Sequence, residues 1–381
     1  MIVGIVKETR PGETRVACNP ESAHKWVEKG LEVRVEHHAG ARSFFTDEAY
    51  KQAGCVITED AVTDSDIVLK VNRPTETELA RIKPDALVAG FLWPAQNRDL
   101  VQALKKGNIT GIGMESVPRI SRAQNMDALS SMGSIAGYKA VLMAADALAK
   151  YMPMFMTAAG TIAPAKVLVL GAGVAGLQAI ATAKRLGAVV EAFDVRSSVK
   201  EQVESLGATF VEVPLAEEDE QTETETPAGY AKELSEASKK LQEEAIQERV
   251  KQADIVITTA LIPGKKAPVL VRASAVAGMK PGSVIVDLAA EQGGNCELTK
   301  PDELVEVHNV RIIAPTNITS QLPLHASQLY ARNLNNLLDL FVKNGSITLD
   351  FDDEIVKGST VTHQGEVISP FVRFQLGLDA S

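Results

Sequence analysis

The stretch KVLVLGAGVAGLQAI, residues 166–180, decides how this chain folds. Five residues of strand type, 166–170, run directly into three glycines, Gly171, Gly173 and Gly176, and the residues after them have helical periodicity. A strand, a glycine-rich turn and a helix in this order open a βαβ unit of a parallel sheet. The stretch therefore predicts an α/β domain in this region of the chain.

Short apolar runs alternate with helical patterns along the rest of the chain, which is typical of parallel α/β architecture. A long helix is predicted from about 126 to 150, and an amphipathic helix over 325–343. Residues 346–368 alternate as a hairpin would, with Gln364-Gly365 at its turn. The predicted strands are 1–6, 32–36, 66–71, 86–92, 109–114, 166–170, 189–194, 209–213, 254–260, 283–288 and 310–314.

The length of 381 residues predicts two domains. We expect two Rossmann-like, doubly wound parallel-sheet domains with a cleft between them. The first comprises residues 1–128 and is completed by 321–381, because a helix after the last strand has no further strand of its own to cover. The second comprises residues 129–320.

Composition excludes several classes of function. The formal net charge of −10 argues against nucleic acid or anionic lipid as a partner. The three cysteines and six histidines show no metal-ligand spacing, so no metal site is predicted. The apolar start is too short for a signal peptide, and no run of 18 apolar residues exists. We therefore expect no direct insertion into a membrane.

The glycine turn has the features of a dinucleotide site. Gly171 permits a tight turn, Gly173 lets the backbone approach a pyrophosphate, and Gly176 allows close packing of helix and strand. The next strand ends in Asp194, where an acid would bind both ribose hydroxyls and repel a 2′-phosphate. This predicts NAD(H) rather than NADP(H), although Arg196 nearby is the kind of residue that accommodates NADP.

A second polar segment, RISRAQNMDALSS at 119–131, lies upstream of the turn. We call residues 119–131 the polar loop. Gln124, Asp127 and Ser130 are spaced by three and would share one face at the start of a helix. Such a face could hold the nicotinamide carboxamide and its ribose, with Arg119 to orient them. The alternative is an N-capped helix start, with Ser121 or Asn125 as the cap.

Residues 216–230, AEEDEQTETETPAGY, are acidic and low in apolar content, so a mobile loop is predicted. Its Tyr230 is the one residue that suggests a contact.

Taken together, the motifs resemble those of the NAD(H)-binding component, domain I or alpha subunit, of proton-translocating NAD(P) transhydrogenase, a family related to alanine dehydrogenase. The resemblance covers essentially the whole chain. The matching stretches are KETRPGETRVA (7–17), VPRISRAQNMDALSS (117–131), MTAAGTIAPAKVLVLGAGVAGLQAIATAKRLGA (156–188), FDVR (193–196), KEQVESLGA (200–208), GYAKE (229–233), TTALIPGK (258–265), GSVIVDLA (282–289) and GGNCE (293–297).

The resemblance implies particular site residues. Asn125 and Lys266 depart from the family pattern, in which serine and proline stand there. The polar loop is implied to hold the nicotinamide end, and Arg119, Gln124, Asp127 and Ser130 are implied to act in catalysis. The implied cofactor contacts are Arg119, Ile120, Ser121, Arg122, Gln124, Asp127, Ser130, Gly171, Gly173, Val174, Gly176, Asp194, Val195, Arg196, Gly229, Tyr230 and Leu261.

Alanine dehydrogenases are also similar, and Arg15 matches their substrate-carboxylate arginine. Where they carry Lys-Val-Lys this chain has Lys70-Val71-Asn72, and GFLWPAQ at 90–96 lacks their histidine. Hydride passing directly between two nicotinamides moves no proton at the reacting carbons, so a transhydrogenase needs orientation and dryness rather than a general base.

The family resemblance also implies partners. It implies a homodimer with NAD(H) bound and NADP(H) on a partner component, docked through partner subunits on the cytoplasmic face of a membrane that holds the proton channel. Two other functions stay open: a free-standing amino-acid dehydrogenase like alanine dehydrogenase, and a non-catalytic NADH-binding regulator.

Overall fold

The computed structural model describes residues 1–213, 235–261, 266–343 and 345–378. Within these ranges, two compact units are formed. Unit 1 comprises Met1–Met132 with Thr319–Ser381, and unit 2 comprises Gly133–Ile318. Each is a sheet covered by helices.

The strands are β1 (Ile2–Ile5), β2 (Glu32–Glu36), β3 (Val56–Thr58), β4 (Ile67–Asn72), β5 (Leu87–Phe91), β6 (Thr110–Gly113), β7 (Phe155–Thr157), β8 (Gly160–Ile162), β9 (Lys166–Leu170), β10 (Val189–Phe193), β11 (Thr209–Phe210), β12 (Ile255–Thr258), β13 (Val284–Asp287), β14 (Leu304–Val307), β15 (Val310–Ile313), β16 (Val342–Lys343), β17 (Ser346–Ile347), β18 (Thr360–His363) and β19 (Glu366–Val367). The α-helices are α1 (Pro20–Glu28), α2 (Asp47–Gln52), α3 (Glu76–Leu79), α4 (Arg98–Lys106), α5 (Ala128–Ala147), α6 (Val174–Arg185), α7 (Lys200–Ser205), α8 (Glu236–Gln252), α9 (Ala273–Ala277), α10 (Pro323–Leu338), α11 (Glu354–Ser359) and α12 (Pro370–Leu376).

The sheet of unit 1 has the strand order β19-β18-β6-β5-β4-β1-β2-β3 across the described residues. Strands β1 to β6 are parallel, β18 pairs antiparallel with β6, and β19 pairs antiparallel with β18. The parallel part follows the doubly wound order 3-2-1-4-5-6, which reverses direction between β1 and β4. Ligands of doubly wound domains bind at such a reversal.

The sheet of unit 2 repeats this order, as β11-β10-β9-β12-β13-β15-β14 in the described ranges of the chain. Here the reversal falls between β9 and β12, and among the strands described for this sheet only β14 is antiparallel. The predicted α/β class with Rossmann-like parallel sheets is confirmed.

Strand β9 shows why the sequence reads as an uninterrupted apolar run. Val167 and Val169 pack into a core on one face of the unit 2 sheet, while Leu168 and Leu170 pack into the core on the other. Strands covered by helices on both faces are apolar at every position rather than at alternate ones. Each of the other predicted strand runs also overlaps a strand of the structure.

The hairpin predicted over 346–368 is wrong in extent. β17 pairs back with β16, and helix α11 occupies 354–359. Asp353 starts this helix by accepting hydrogen bonds from the main-chain N–H groups of Ile355 and Val356. The hairpin is confined to β18 and β19, whose turn has φ of +47° at Gln364 and +77° at Gly365, as a two-residue type I′ turn requires.

Helix α5 is the long helix that the sequence predicts, although it begins two residues later and ends three earlier. Among the described residues, neither α5 nor any other helix combines the length and apolar character that a membrane span needs.

Candidate dinucleotide site

The three glycines of the turn in unit 2 have different physical roles. A Cβ added to Gly176 would lie 1.8 Å from the carbonyl oxygen of Gly171, so only glycine fits where helix α6 meets the turn. Gly171 has φ of +100°, and a Cβ there would lie 2.6 Å from Oγ1 of Thr259. A Cβ on Gly173 would meet no atom within 4 Å. Packing therefore requires Gly171 and Gly176, whereas Gly173 faces space that a ligand could fill.

Helix α6 presents its N-terminus at this space. It begins at Val174, and Gly173 supplies no side-chain cap. The first N–H groups of a helix have no partner within it, and they lie at the positive end of the helix dipole. Val174 is 45% exposed there. This arrangement fits a pyrophosphate.

Asp194 follows β10 and reaches back to the turn. Its Oδ2 accepts a 2.7 Å hydrogen bond from the main-chain N–H of Ala172. Its carboxylate also pairs with the guanidinium of Arg196, Nε to Oδ1 and Nη2 to Oδ2, both at 2.9 Å. The arginine that could have accommodated a 2′-phosphate is thus already paired with the acid. Val195, between them, is half-buried against the core.

Strand β12 supports the turn from the other side. Oγ1 of Thr259 donates to the carbonyl oxygen of Gly171 at 3.0 Å, and its main-chain N–H donates to Leu170 at 2.8 Å. Leu261 follows and is 42% exposed. The predicted contacts Gly171, Gly173, Val174 and Gly176 therefore lie beside Asp194 to Arg196 on one flank, with the segment that leads to Leu261 on the other.

Asp287 and Asn295 hold this flank, and sequence reasoning missed both. The buried carboxylate of Asp287 accepts hydrogen bonds from the main-chain N–H groups of Ala289, Asn295 and Cys296 and from the hydroxyls of Thr258 and Thr299. The Asn295 side chain then binds both the N–H and the carbonyl of Ala260, and the carbonyl of Pro268. An acid at a strand end followed by GGNCE was the available signal.

Helix α5 approaches the turn through a second missed feature. A Cβ on Gly137 would lie 2.0 Å from the carbonyl oxygen of Ala175, whereas one on Gly133 would make only an ordinary van der Waals contact at 3.7 Å. Glycine at 137 permits this close backbone approach. Gly137 within GSIAG was the sequence signal.

The polar loop belongs to unit 1, and it contains a 3₁₀ helix, Ser121–Met126. Ala123 and Met126 are buried, so they anchor the loop. Arg119, Ser121, Arg122 and Gln124 are exposed, and Ile120, Asp127 and Ser130 are half-buried. Polar and charged side chains of the loop are thus accessible to a ligand.

The capping alternative is realised in a different way from the one predicted. Asp127, rather than Ser121 or Asn125, lies at the N-cap of α5, where its Oδ1 accepts from the N–H of Ser130 at 2.9 Å. Its Oδ2 accepts from the Ser130 hydroxyl. One of the predicted nicotinamide residues therefore also stabilises a helix start.

Arg122 forms a bidentate ion pair with Asp353. Its Nη1 and Nη2 lie 2.8 and 2.7 Å from the two carboxylate oxygens. The hydrogen bonds from Arg122 lower the pKa of Asp353 to about 2. Arg122, a predicted cofactor contact, thus ties the polar loop to the start of α11.

The reversal point of the unit 1 sheet is filled by polar side chains of the chain itself. The guanidinium of buried Arg15 donates to both carboxylate oxygens of Glu13, Nε at 2.8 Å and Nη2 at 2.7 Å. Asn72 donates to Glu13 at 2.9 Å, and Ser320 does so at 2.7 Å. Burial opposes the ionisation of Glu13, but the hydrogen bonds and charge of Arg15 prevail and lower its pKa to about 2.

Lys70 is engaged at the same point. Its Nζ lies 2.7 Å from Oε1 of Glu78 and 3.8 Å from Oε1 of Glu8, and all three side chains are buried. Arg15, which matches the substrate-carboxylate arginine of alanine dehydrogenases, and Lys70, the first lysine of their Lys-Val-Lys pattern, are therefore both paired internally.

One group of side chains in the described residues is close enough to hold a metal, although none was predicted. The ligand atoms of His37, His38 and Asp47 lie within 4.8 Å of one another. Both histidines are exposed, and Nδ1 of His37 lies 2.7 Å from Oδ2 of Asp47. An ordinary surface ion pair accounts for this geometry. The remaining predicted contacts, Gly229 and Tyr230, lie with the acidic stretch 216–230 outside the described residues.

Comparison with known proteins agrees with the two sheets. Residues 4–136 match the N-terminal domain model of alanine dehydrogenase/PNT, and residues 140–370 match the C-terminal domain model. The chain therefore belongs to the alanine dehydrogenase/PNT family of nicotinamide-dependent oxidoreductases.

Within this family the chain is more similar to transhydrogenase subunits than to alanine dehydrogenase. It is 50% identical to the first segment of the NAD(P) transhydrogenase alpha subunit of Rhodospirillum rubrum, over 97% of this chain and 98% of that protein. The crystal structure of transhydrogenase from Sinorhizobium meliloti has a TM-score of 0.87 and 43% identity, over 97% of this chain and 100% of that one. Alanine dehydrogenase 1 of Staphylococcus aureus is 29% identical, over 96% of this chain and 94% of that protein.

Proposed function

We propose that the chain is the NAD(H)-binding subunit of a proton-translocating NAD(P) transhydrogenase, with Si-specific/Re-specific hydride transfer. NADH on this subunit would give hydride directly to NADP+ bound on a partner component. The observation that carries the proposal is the glycine turn, with open space at Gly173 beside the free start of α6. Similarity to named transhydrogenase subunits supports it.

Different residues would bind the adenosine half and the nicotinamide half of the cofactor. In this proposal Gly173 and Val174 receive the pyrophosphate, Asp194 binds the adenosine ribose, and Leu261 lines the site. From unit 1, Arg119, Ile120, Ser121, Gln124, Asp127 and Ser130 would orient the nicotinamide half. Direct transfer of hydride between two rings needs their orientation and the exclusion of water, and it needs no general base.

An amino-acid dehydrogenase is the main competing function, and unit 1 argues against it. Asn72 replaces the lysine of the alanine dehydrogenase pattern, and its amide donates to Glu8 at 3.1 Å and to Glu13 at 2.9 Å. The guanidinium of Arg15 already binds the carboxylate of Glu13. A substrate carboxylate would have to displace this internal one, so we expect no binding of alanine.

The test combines the purified chain with an NADP(H)-binding component, NADPH and the acetylpyridine analogue of NAD+. We expect hydride transfer to the analogue, which is measured as the change in the absorbance of the analogue. The chain alone, with NAD+ and L-alanine or with NADH, pyruvate and ammonia, is expected to show no turnover. NADH formation from alanine at an ordinary dehydrogenase rate would favour the competing function, and NADH binding without transfer would favour a regulator.

Cofactor preference follows from the pair of Asp194 and Arg196. We expect NADH to bind more tightly than NADPH by about 1–3 kcal/mol. With NADPH, the Asp194 carboxylate would face a 2′-phosphate where NADH offers a ribose hydroxyl, and its ion pair with Arg196 would be broken. In Asp194→Ala, Arg196 is released, so the preference for NADH should shrink or reverse. Titration calorimetry with both cofactors measures the two affinities.

Two results would contradict this assignment. One is equal affinity of the wild-type chain for NADH and NADPH. The other is an Asp194→Ala variant that keeps the full preference, which would place the ribose elsewhere. Arg196→Ala is the matched control: it removes the pair but leaves the acid, so the preference for NADH should remain.

We also propose that the chain functions as a homodimer, docked through an NADP(H)-binding component and a proton-channel component on the cytoplasmic face of the membrane. Strands β7 and β8 support a protein contact. They form a separate hairpin whose residues are all exposed, and Met154, Met156 and Ile162 are 57%, 74% and 42% exposed. A two-stranded hairpin is marginally stable alone, and clustered exposed apolar residues mark interaction surfaces. The two predicted domains, 1–128 with 321–381 and 129–320, would supply the nicotinamide-orienting and NAD(H)-binding parts.

A further inference from the structure

Helix α10 carries two asparagines that bind the same atom of the polar loop. Nδ2 of Asn333 and Nδ2 of Asn336 lie 2.9 and 3.0 Å from the main-chain carbonyl oxygen of Asn125. The two residues are three apart, so they share one face of the helix. Asn125 directly follows Gln124 and precedes Asp127 by two residues. Both amides are thus aimed at the centre of the loop.

We call Asn333 and Asn336 the clamp, and α10, the helix that carries them, is itself fixed to other parts of unit 1. Oγ of Ser327 accepts from the N–H of Val16 at 3.0 Å, and the Tyr330 hydroxyl donates to the carbonyl oxygen of Lys70 at 2.7 Å. The side chain of Asn335 accepts from Nε1 of Trp26 at 2.8 Å and donates to the carbonyl oxygen of Ser22 at 3.0 Å. Ser327 and Tyr330 therefore fix α10 as a base from which Asn333 and Asn336 can set the position of the loop, whereas Asn335 joins the helix to α1.

Asn333 occupies a buried position on α10. The residue is 6% exposed, and its Oδ1 is buried with no hydrogen-bond partner among the described residues. Most buried acceptors in native structures are paired, so an unpaired one requires an explanation. A leucine of similar size would avoid the unpaired oxygen, but it would also lose the donor to Asn125. At this buried position the amide therefore serves as a hydrogen-bond donor to the polar loop.

We propose that Asn333 and Asn336 are positioning residues for hydride transfer. By holding the main chain at Asn125, they place Gln124 and Asp127 for contact with the nicotinamide half of NAD(H). This inference rests on the role of the polar loop proposed above.

The experiment compares Asn333→Leu, Asn336→Leu and the double variant with Asn335→Leu. The control is the same substitution on the same helix, but Asn335 holds α1 and has no hydrogen bond to the loop. Hydrogen exchange of the peptides that cover 119–131 is measured on the full free chain. Transfer from NADPH to the acetylpyridine analogue is measured with the NADP(H)-binding component, as kcat and KM for the analogue.

In the double variant we expect faster exchange confined to the loop. We expect kcat to fall by roughly 10- to 100-fold while KM changes by less than about 3-fold, since small displacements of a reacting ring affect the rate more than binding. The melting temperature should change little, because Asn333→Leu also removes the unpaired oxygen. Asn336→Gln, which keeps an amide donor on an accessible site, should retain more activity than Asn336→Leu. In Asn335→Leu we expect a lower melting temperature with kcat per folded molecule unchanged.

Three outcomes would overturn the proposal. They are unchanged exchange in the loop, faster exchange with unchanged kcat, and a fall in kcat explained by loss of folded protein. If the double variant does not fold, Asn336→Leu alone decides the matter. A wild-type chain that neither binds NADH nor transfers hydride would refute the proposed function, whereas a fully active wild type with fully active variants would refute only the clamp.

Discussion

Gly173→Val is expected to abolish NADH binding while leaving the protein folded. A Cβ at this position meets no protein atom within 4 Å, and the backbone is extended, with φ of −73° and ψ of −170°, which any residue adopts. The valine would therefore fill the space that the pyrophosphate needs in front of α6. Losing two charge-assisted hydrogen bonds costs about 3–6 kcal/mol, which corresponds to more than 100-fold in the dissociation constant.

The matched control is Gly176→Ala, three residues further on. Its Cβ would lie 1.8 Å from the carbonyl oxygen of Gly171, so the turn must shift, and we expect a loss of stability of about 3 kcal/mol. In Gly173→Val, by contrast, the valine at the N-cap of α6 should lower the free energy of unfolding by no more than about 1 kcal/mol. Calorimetric titration with NADH and thermal unfolding separate the two variants. An NADH affinity of Gly173→Val within about 5-fold of wild type would place the cofactor elsewhere.

Gln124→Ala and Asp127→Asn are expected to lower hydride transfer by about 100-fold with modest losses of NADH affinity. The adenosine half stays anchored at the glycine turn and Asp194, whereas the nicotinamide ring loses the groups that orient it. Gln124 is exposed, so its truncation should leave the melting temperature unchanged. Asparagine at 127 still caps α5 as well as aspartate does, so this variant tests the carboxylate apart from the cap.

Single-turnover transfer and thermal unfolding, measured side by side, decide between orientation and capping. Asp127→Ala should lose both transfer and about 1 kcal/mol of stability. Thr75→Ala is the matched cap control, because Thr75 caps α3 by accepting from the N–H of Glu78 and lies outside the proposed site. It should lose stability with transfer per folded molecule unchanged. Wild-type transfer in both Gln124→Ala and Asp127→Asn would reduce the polarity of the loop to a structural role.

The features that depend on neighbouring residues were predictable from the sequence. The apolar run 166–170 and its glycines define a strand and a turn by local sterics alone. The sequence placed the starts of helices α5 and α10 within two residues, but α10 ends at Leu338, five residues before the predicted end, and Val342–Lys343 forms β16 instead. The Gln364-Gly365 turn was also predicted correctly, since positive φ at both positions is a local property of those residue types.

Errors arose where a helix start competed with an alternating pattern. Residues 354–359 alternate enough to suggest a strand, but Asp353 caps them into a helix. Asp127 capped α5 in place of Ser121 or Asn125 because the 3₁₀ helix of the polar loop continues to Met126. Capping depends on where one helix ends and the next begins, and this boundary is weakly marked in the sequence.

The partners of the functional segments were decided only by the tertiary structure. Arg122 pairs with Asp353, which lies 231 positions further along the chain. The carbonyl of Asn125 accepts a hydrogen bond from Asn333, which lies 208 positions further along. Asn295 reaches Ala260 because β12 and β13 are neighbours in the sheet. Local sequence determines backbone angles and which face is apolar, so it determined the strands, the glycine turn and the class of this protein. The order in which strands assemble determines which distant polar groups meet, and thereby how the polar loop and the turn are held.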